Sequence, residues 1–123
     1  MTTMNKSNGM IYFDFGSGPV PAHQHSNGGG WVADTATVSP SVYVGPDARV
    51  YDEAWVSGDC RIYCDARVYG NAWVCESAWV AGSARVYGNA RISGDCFIDD
   101  TAQVFGNANL SNNCRIAGDS RIF

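Results

Sequence analysis

Ala-Arg-Val-Tyr-Gly-Asn, residues 84–89, is one unit of a six-residue pattern that runs through most of this 123-residue chain. Working outward from Val86, an aliphatic residue stands at every sixth position: Val32, Val38, Val44, Val50, Val56, Ile62, Val68, Val74, Val80, Val86, Ile92, Ile98, Val104, Leu110, Ile116 and Ile122. No residue is inserted or deleted along the run. A helix returns its apolar face about every 3.6 residues and a flat strand every second residue. A strict period of six fits neither, so each hexad reads as one short strand plus one corner. Three hexads close a triangular turn of eighteen residues. This internal repeat decides the fold, which is a coiled sheet.

Two residues before each aliphatic stands a small side chain, among them Ala36, Ala48, Ala54, Cys60, Ala66, Ala72, Ala78, Ala84, Ala90, Cys96, Ala102, Ala108, Cys114 and Ser120, with Val42 the largest. Residues two apart on a strand point the same way, so both members of the pair face inward. The corners carry Gly58, Gly70, Gly82, Gly88, Gly94, Gly106 and Gly118, most of them followed by Asn, Asp or Ser, as tight turns require. This pattern resembles the hexapeptide-repeat family over about three quarters of the chain. The resemblance implies an all-β, single-domain, left-handed parallel β-helix of about five triangular coils; the hand is what the resemblance implies. The expected organisation is a disordered polar tail at 1–9, an N-terminal strand and Gly/Pro-rich loop at 10–30, and the hexapeptide-repeat β-helix at 31–123.

The run Met10-Ile11-Tyr12-Phe13-Asp14-Phe15 is β-prone, with Ile11, Phe13 and Phe15 on one side. It is expected to cap the open first coil or to reach a neighbouring subunit, since repeat arrays need capped ends. Gly16 to Gly30, which contains Pro19 and Pro21, reads as an irregular loop. The last coil, ending at Phe123, is expected to leave an open sheet edge.

No run of eighteen apolar residues occurs, and Met1 to Met10 is polar with Lys6, so neither a membrane span nor a secretory signal is expected. The simplest expectation is a cytoplasmic protein. The five cysteines agree, because Cys60, Cys96 and Cys114 take positions where Ala is the norm. Cys96 and Cys114 should touch across adjacent coils as reduced core filler. A net charge of −4 argues against general nucleic-acid binding. All seven arginines immediately precede an inward aliphatic, while most acids fall at corners. Asp47/Arg49, Asp59/Arg61, Asp65/Arg67 and Asp119/Arg121 read as neutralising surface pairs, each contributing only about 0–1 kcal/mol.

Taking every eighteenth residue recovers the columns of the prism. One face carries Tyr51, Tyr69, Tyr87, Phe105 and Phe123 beside Arg49, Arg67, Arg85, Gln103 and Arg121. A second carries Thr37, Trp55, Trp73, Arg91 and Asn109, and a third Tyr43, Arg61, Trp79, Phe97 and Arg115. None of the twelve aromatic residues from Trp31 onward takes an inward position. Stacked rings stabilise a sheet without any partner. Aromatic and Arg enrichment on a flat face is also the composition of an interface. The candidate interface residues are therefore Tyr51, Tyr69, Tyr87, Phe105, Phe123, Arg49, Arg67, Arg85, Trp55, Trp73 and Trp79. Alternating Arg and Tyr would also suit stacking on single-stranded nucleic acid, but the acidic corners oppose it.

No His lies within 32–122, and His23 and His25 lack the further ligands a zinc site needs, so no metal, cofactor or catalytic residue is assigned. Acyl-coenzyme A-dependent acyl transfer, the activity for which the resembled family is best known, would have only His23 or His25 as its base. The expected function is that of a non-catalytic binding or scaffold protein, a homo-dimer or other homo-oligomer, with no membrane association. Small members of the family from bacteria and phages imply a narrower form, a phage-encoded inhibitor of a host protein.

Overall fold

The computed structural model describes the backbone of residues 3–5 and all of residues 11–123. Residues 1, 2 and 6–9 of the expected tail lie outside the described residues. Thr3–Asn5 is not coil but a strand, β1, antiparallel to β2 (Ile11–Asp14). After β3 (Pro19–Gln24) and β4 (Trp31–Ala33), fifteen two-residue strands follow at the hexad period, from Thr37–Val38 to Arg121–Ile122. Among the described residues there is no helix.

Strands eighteen residues apart pair in parallel and in register, for example Arg67 with Arg85 and Val68 with Val86. The chain is therefore a parallel β-solenoid of about five turns with three sheet faces. Between β4 and Arg121–Ile122 the first face stacks every eighteenth residue from Trp31, and the other two faces hold five strands each. Inward Val, Ile and Ala form one column of core from Val32 to Ala108, most of it fully buried. Val38, Leu110, Ile116 and Ile122, near the ends, are only half-buried.

The corners hold the coils in register as firmly as the strands do. Corner amides donate to the coil above, as Glu53 N does to Gly70 O at 3.0 Å and Asn71 N to Gly88 O at 2.8 Å. The corner residue takes positive φ at every hexad from Asp52 to Gly118. At Gly70 (φ 69°) an added Cβ would lie 2.9 Å from Gly88 N, so glycine there answers both conformation and space. Five corners have side chains: Asp52, Cys64, Glu76, Asp100 and Asn112. Three of these are carboxylates that accept from the glycine amide one coil on: Asp52 from Gly70 (3.1 Å), Glu76 from Gly94 (2.7 Å) and Asp100 from Gly118 (2.9 Å).

Three expectations are corrected. Residues 16–30 are not an irregular loop throughout, because Pro19–Gln24 forms β3 between β2 and β4. Both prolines fall in the half of β3 that pairs only with β2, past the end of β4, so neither deprives β4 of a donor. Cys96 and Cys114 are not reduced filler but are joined as a disulfide, with Cα atoms 4.5 Å apart. Small inward residues one strand spacing apart are already within bridging distance. The cysteines therefore no longer argue for a reducing compartment. The four Asp-x-Arg pairs do not form; among the described residues the one ion pair is His23 with Asp34.

Four of the seven arginines turn to rings instead. The guanidinium of Arg61 lies over Trp79 (5.3 Å), that of Arg91 over Trp73 (4.8 Å), that of Arg115 over Phe97 (5.3 Å) and that of Arg49 over Phe13 (4.8 Å). In the first three cases the ring belongs to the adjacent strand of the same column. That neighbour stands one strand spacing away, and the stack adds about 0.5–1 kcal/mol at an exposed site.

Candidate functional site

The N-terminal hairpin extends the first face rather than reaching outward. β3 pairs antiparallel with β4, which pairs in parallel with Arg49–Val50. Its apolar side packs Phe13, Phe15 and Ala22 against Ala33, Trp31 and Tyr51. In the column of Tyr51, Tyr69, Tyr87, Phe105 and Phe123, the rung above Tyr51 is Ala33, too small to continue the ladder. Phe15 takes that place and stacks on Tyr51 at 4.8 Å and 15°. Of the three residues expected to share a side, Phe13 and Phe15 are buried and Ile11 is exposed.

The ladder then runs on with ring centroids 4.8 to 5.1 Å apart and planes within 19°. Tyr51 through Phe105 are half-buried, with each ring face covered by the next rung. The hydroxyls lean toward the adjacent coil: Tyr87 donates to Gln103 Oε1 at 2.8 Å, and Tyr69 hydrogen-bonds Arg85. Burial raises the Tyr69 phenol above its usual range, with the neighbouring Tyr51 adding to the effect. Arg49, Arg67 and Arg85 flank this ladder in register. Only Phe123, the last rung, stands far out, at 81% exposure.

The tryptophans are placed differently. Trp55 and Trp73 stand mid-strand on the second face, 46% and 45% exposed, with centroids 5.8 Å apart and planes 32° askew. Trp79 on the third face is 41% exposed, edge-on to Tyr63 and Phe97. The expected interface residues thus divide into a self-stacked Tyr/Phe ladder with its arginines on one face and, on the other two, more exposed indoles, with Arg91 over Trp73 and Arg61 over Trp79.

The two histidines do not converge on one ligand. His25 is buried and its Nε2 donates to the Val42 carbonyl at 2.7 Å, tying the 25–30 loop onto the third face. That loop lies so close that a Cβ on Gly30 would stand 2.3 Å from Gly45 O. His23, exposed on β3, has Nδ1 2.7 Å from Asp34 Oδ1. Among the described residues no three His, Cys, Asp or Glu side chains gather as metal ligands. The Cys60 thiol is pushed up to about 12, chiefly by burial. Among the described residues no helix is long and apolar enough to cross a membrane.

Sequence reasoning missed a cavity. Between the hairpin turn Gly16–Gly18 and the corner residues Asp34, Thr35 and Asp52, beside Tyr51 and Tyr69, lies a largely apolar recess of about 460 Å³. The hexad pattern carried no signal of it, because one wall comes from the hairpin, outside the repeat.

A family model described as the YdcK beta solenoid repeat matches residues 84–98, a stretch shorter than one coil. No curated protein and no solved structure matches the chain.

Proposed function

We propose that this chain is a non-catalytic binding protein whose tryptophan face, Trp55 and Trp73 with Arg91, docks on another protein, in the first instance a second copy of itself. The observation that carries this reading is the pair of indoles left nearly half exposed on a flat sheet, while the Tyr/Phe rings of the first face stack on one another. Large exposed aromatics with Arg beside them have the composition of interface centres. A two-fold pairing would cover both copies of the patch at once. The narrower reading, a phage-encoded inhibitor of a host protein, uses the same surface and rests on the sequence resemblance. That resemblance, together with the six-residue period and two-residue strands, also supports a left-handed coil of the hexapeptide-repeat kind.

Light scattering at micromolar concentration is the test. The wild type is expected at twice the chain mass and Trp55→Ser/Trp73→Ser at the mass of one chain, with unchanged circular dichroism. A monomeric wild type that also retains nothing from a bacterial lysate refutes the reading.

Acyl transfer remains the second reading, on one observation: the His23–Asp34 contact is an oriented imidazole at the hairpin. Heat on titration with acetyl-coenzyme A that His23→Ala abolishes would favour it over binding alone.

A further inference from the structure

We propose that the recess under the N-terminal hairpin is a binding site for a small organic cation, a protonated amine carried on an aromatic body. This inference does not rest on the tryptophan face and survives if that reading fails.

The recess is built rather than incidental. Asp14 Oδ1 accepts from Gly16 N at 2.7 Å and Gly18 N at 3.1 Å, which fixes the turn that overhangs it. Phe15, Val20 and Pro21 form the hairpin wall, and Ala33, buried against Phe13 and Phe15, borders the recess. Tyr51 and Tyr69 close the far side with rings already stacked on each other. At about 460 Å³ the volume falls in the range of ordinary small-molecule pockets, roughly 300–1,000 Å³.

Charge then selects the ligand. Among the described residues, the ionisable carboxylates on the lining are Asp34 and Asp52, and no Lys or Arg lines it. Neither carboxylate is fully used within the chain. Asp52 accepts from Gly70 N through Oδ2, and Asp34 meets His23 through Oδ1, which leaves Asp52 Oδ1 and Asp34 Oδ2 without a described hydrogen-bond partner. The carbonyl of Asp52 is taken by the Thr35 hydroxyl, so the corner is held in place from both sides. An apolar slot with two half-satisfied carboxylates at its rim favours a ligand with a flat apolar body and one ammonium group, and it disfavours anions of the same shape.

Tryptamine serves as the probe, with tryptophol as its neutral counterpart and indole-3-propionate as its anionic one, each titrated into the isotope-labelled full chain and followed by amide chemical shifts. Tryptamine is expected to move Gly16, Gly18, Ala33 and Tyr69 and to bind about tenfold tighter than tryptophol, with indole-3-propionate weakest. Asp52→Asn keeps an acceptor for Gly70 and a residue type that tolerates positive φ. It should erase most of the tryptamine preference while leaving tryptophol unchanged. Val20→Arg, at an exposed lining position, brings a like charge to the recess and should abolish tryptamine binding. Absence of tryptamine binding, equal affinity for tryptophol, shifts confined to Trp55, Trp73 and Trp79, or undiminished tryptamine binding in a folded Val20→Arg protein would each overturn the proposal.

Discussion

The first and second faces are both lined with aromatic residues eighteen apart, yet they behave differently. On the first, rings follow the inward aliphatic and form an unbroken run from Phe15 to Phe123, so every interior ring has a neighbour above and below. On the second, the indoles precede the aliphatic, and the run is only two rings long before Arg91 ends it. Continuity of the column, more than ring type, decides whether an aromatic face satisfies itself. A long column spends its ring faces on its own rungs, whereas the short one leaves each indole nearly half exposed even with Arg91 over Trp73.

The bluntest way to break this contrast is to strike what the faces share. Val86→Asp would bury an unpaired charge in the aliphatic column, costing several kcal/mol, and both faces should be lost together in near- and far-ultraviolet circular dichroism. Arg85→Ala, one residue away but pointing outward, should leave the fold intact.

A more selective change is Phe15→Ala, which removes the top rung. Truncating a buried Phe typically costs about 3–5 kcal/mol, so the urea midpoint should fall clearly, while the mass seen by light scattering per folded chain stays that of the wild type. The mirror experiment, Trp55→Ser/Trp73→Ser, should shift the midpoint of the isolated chain by no more than about 1 kcal/mol and act on association instead. If the ladder variant dissociates the protein and the tryptophan variant does not, the assignment of the two faces is reversed.

The alkaline limb provides a finer comparison, since an indole does not titrate there. Tyr69 has a folded pKa raised above its unfolded value, mainly by burial. The folded state therefore holds that proton more tightly, and the associated stability is present below the ordinary tyrosine range, near pH 10, and declines as pH rises through the raised value. Tyr69→Phe should flatten this slope, measured as the urea midpoint against pH. Tryptophan variants should leave it unchanged. The smallest effect is chemical: with its thiol pushed up to about 12, Cys60 should resist alkylation at pH 8 until the chain unfolds, while exposed Cys64 reacts in the native state.

How much of this could be read from the sequence depends on whether the information was periodic. The inward column, the corners and the register of all three faces follow from the unbroken period, and the structure buries Val44 through Val104 as that period requires. The hairpin lay outside it. Two prolines and a Gly-rich composition pointed to loop, and only the register of β3 explains why they are tolerated in a strand. The arginines were misread for a different reason. Asp and Arg two residues apart share a side of the strand, but Arg61 lies over Trp79 one coil on and Arg49 over Phe13 of the hairpin, partners that a linear spacing does not display. The recess shared the hairpin's fate, because it lies between the hairpin turn and the corners beside Tyr51 and Tyr69.

The corner carboxylates that reach the next coil's glycine amide have a consequence for growth. Asp52, Glu76 and Asp100 each make the same bond to a residue eighteen further on, using nothing particular to the coil they belong to. Each coil thus presents to its successor a complete template of strand edges, stacked rings and corner acceptors. Duplicating any eighteen residues of the repeat in frame would insert a coil that finds all its contacts ready, lengthening the prism by about 4.8 Å with no change to the hairpin or the last rung. The height of the molecule is in that sense a countable, heritable quantity, free to change in whole steps while its cross-section stays fixed.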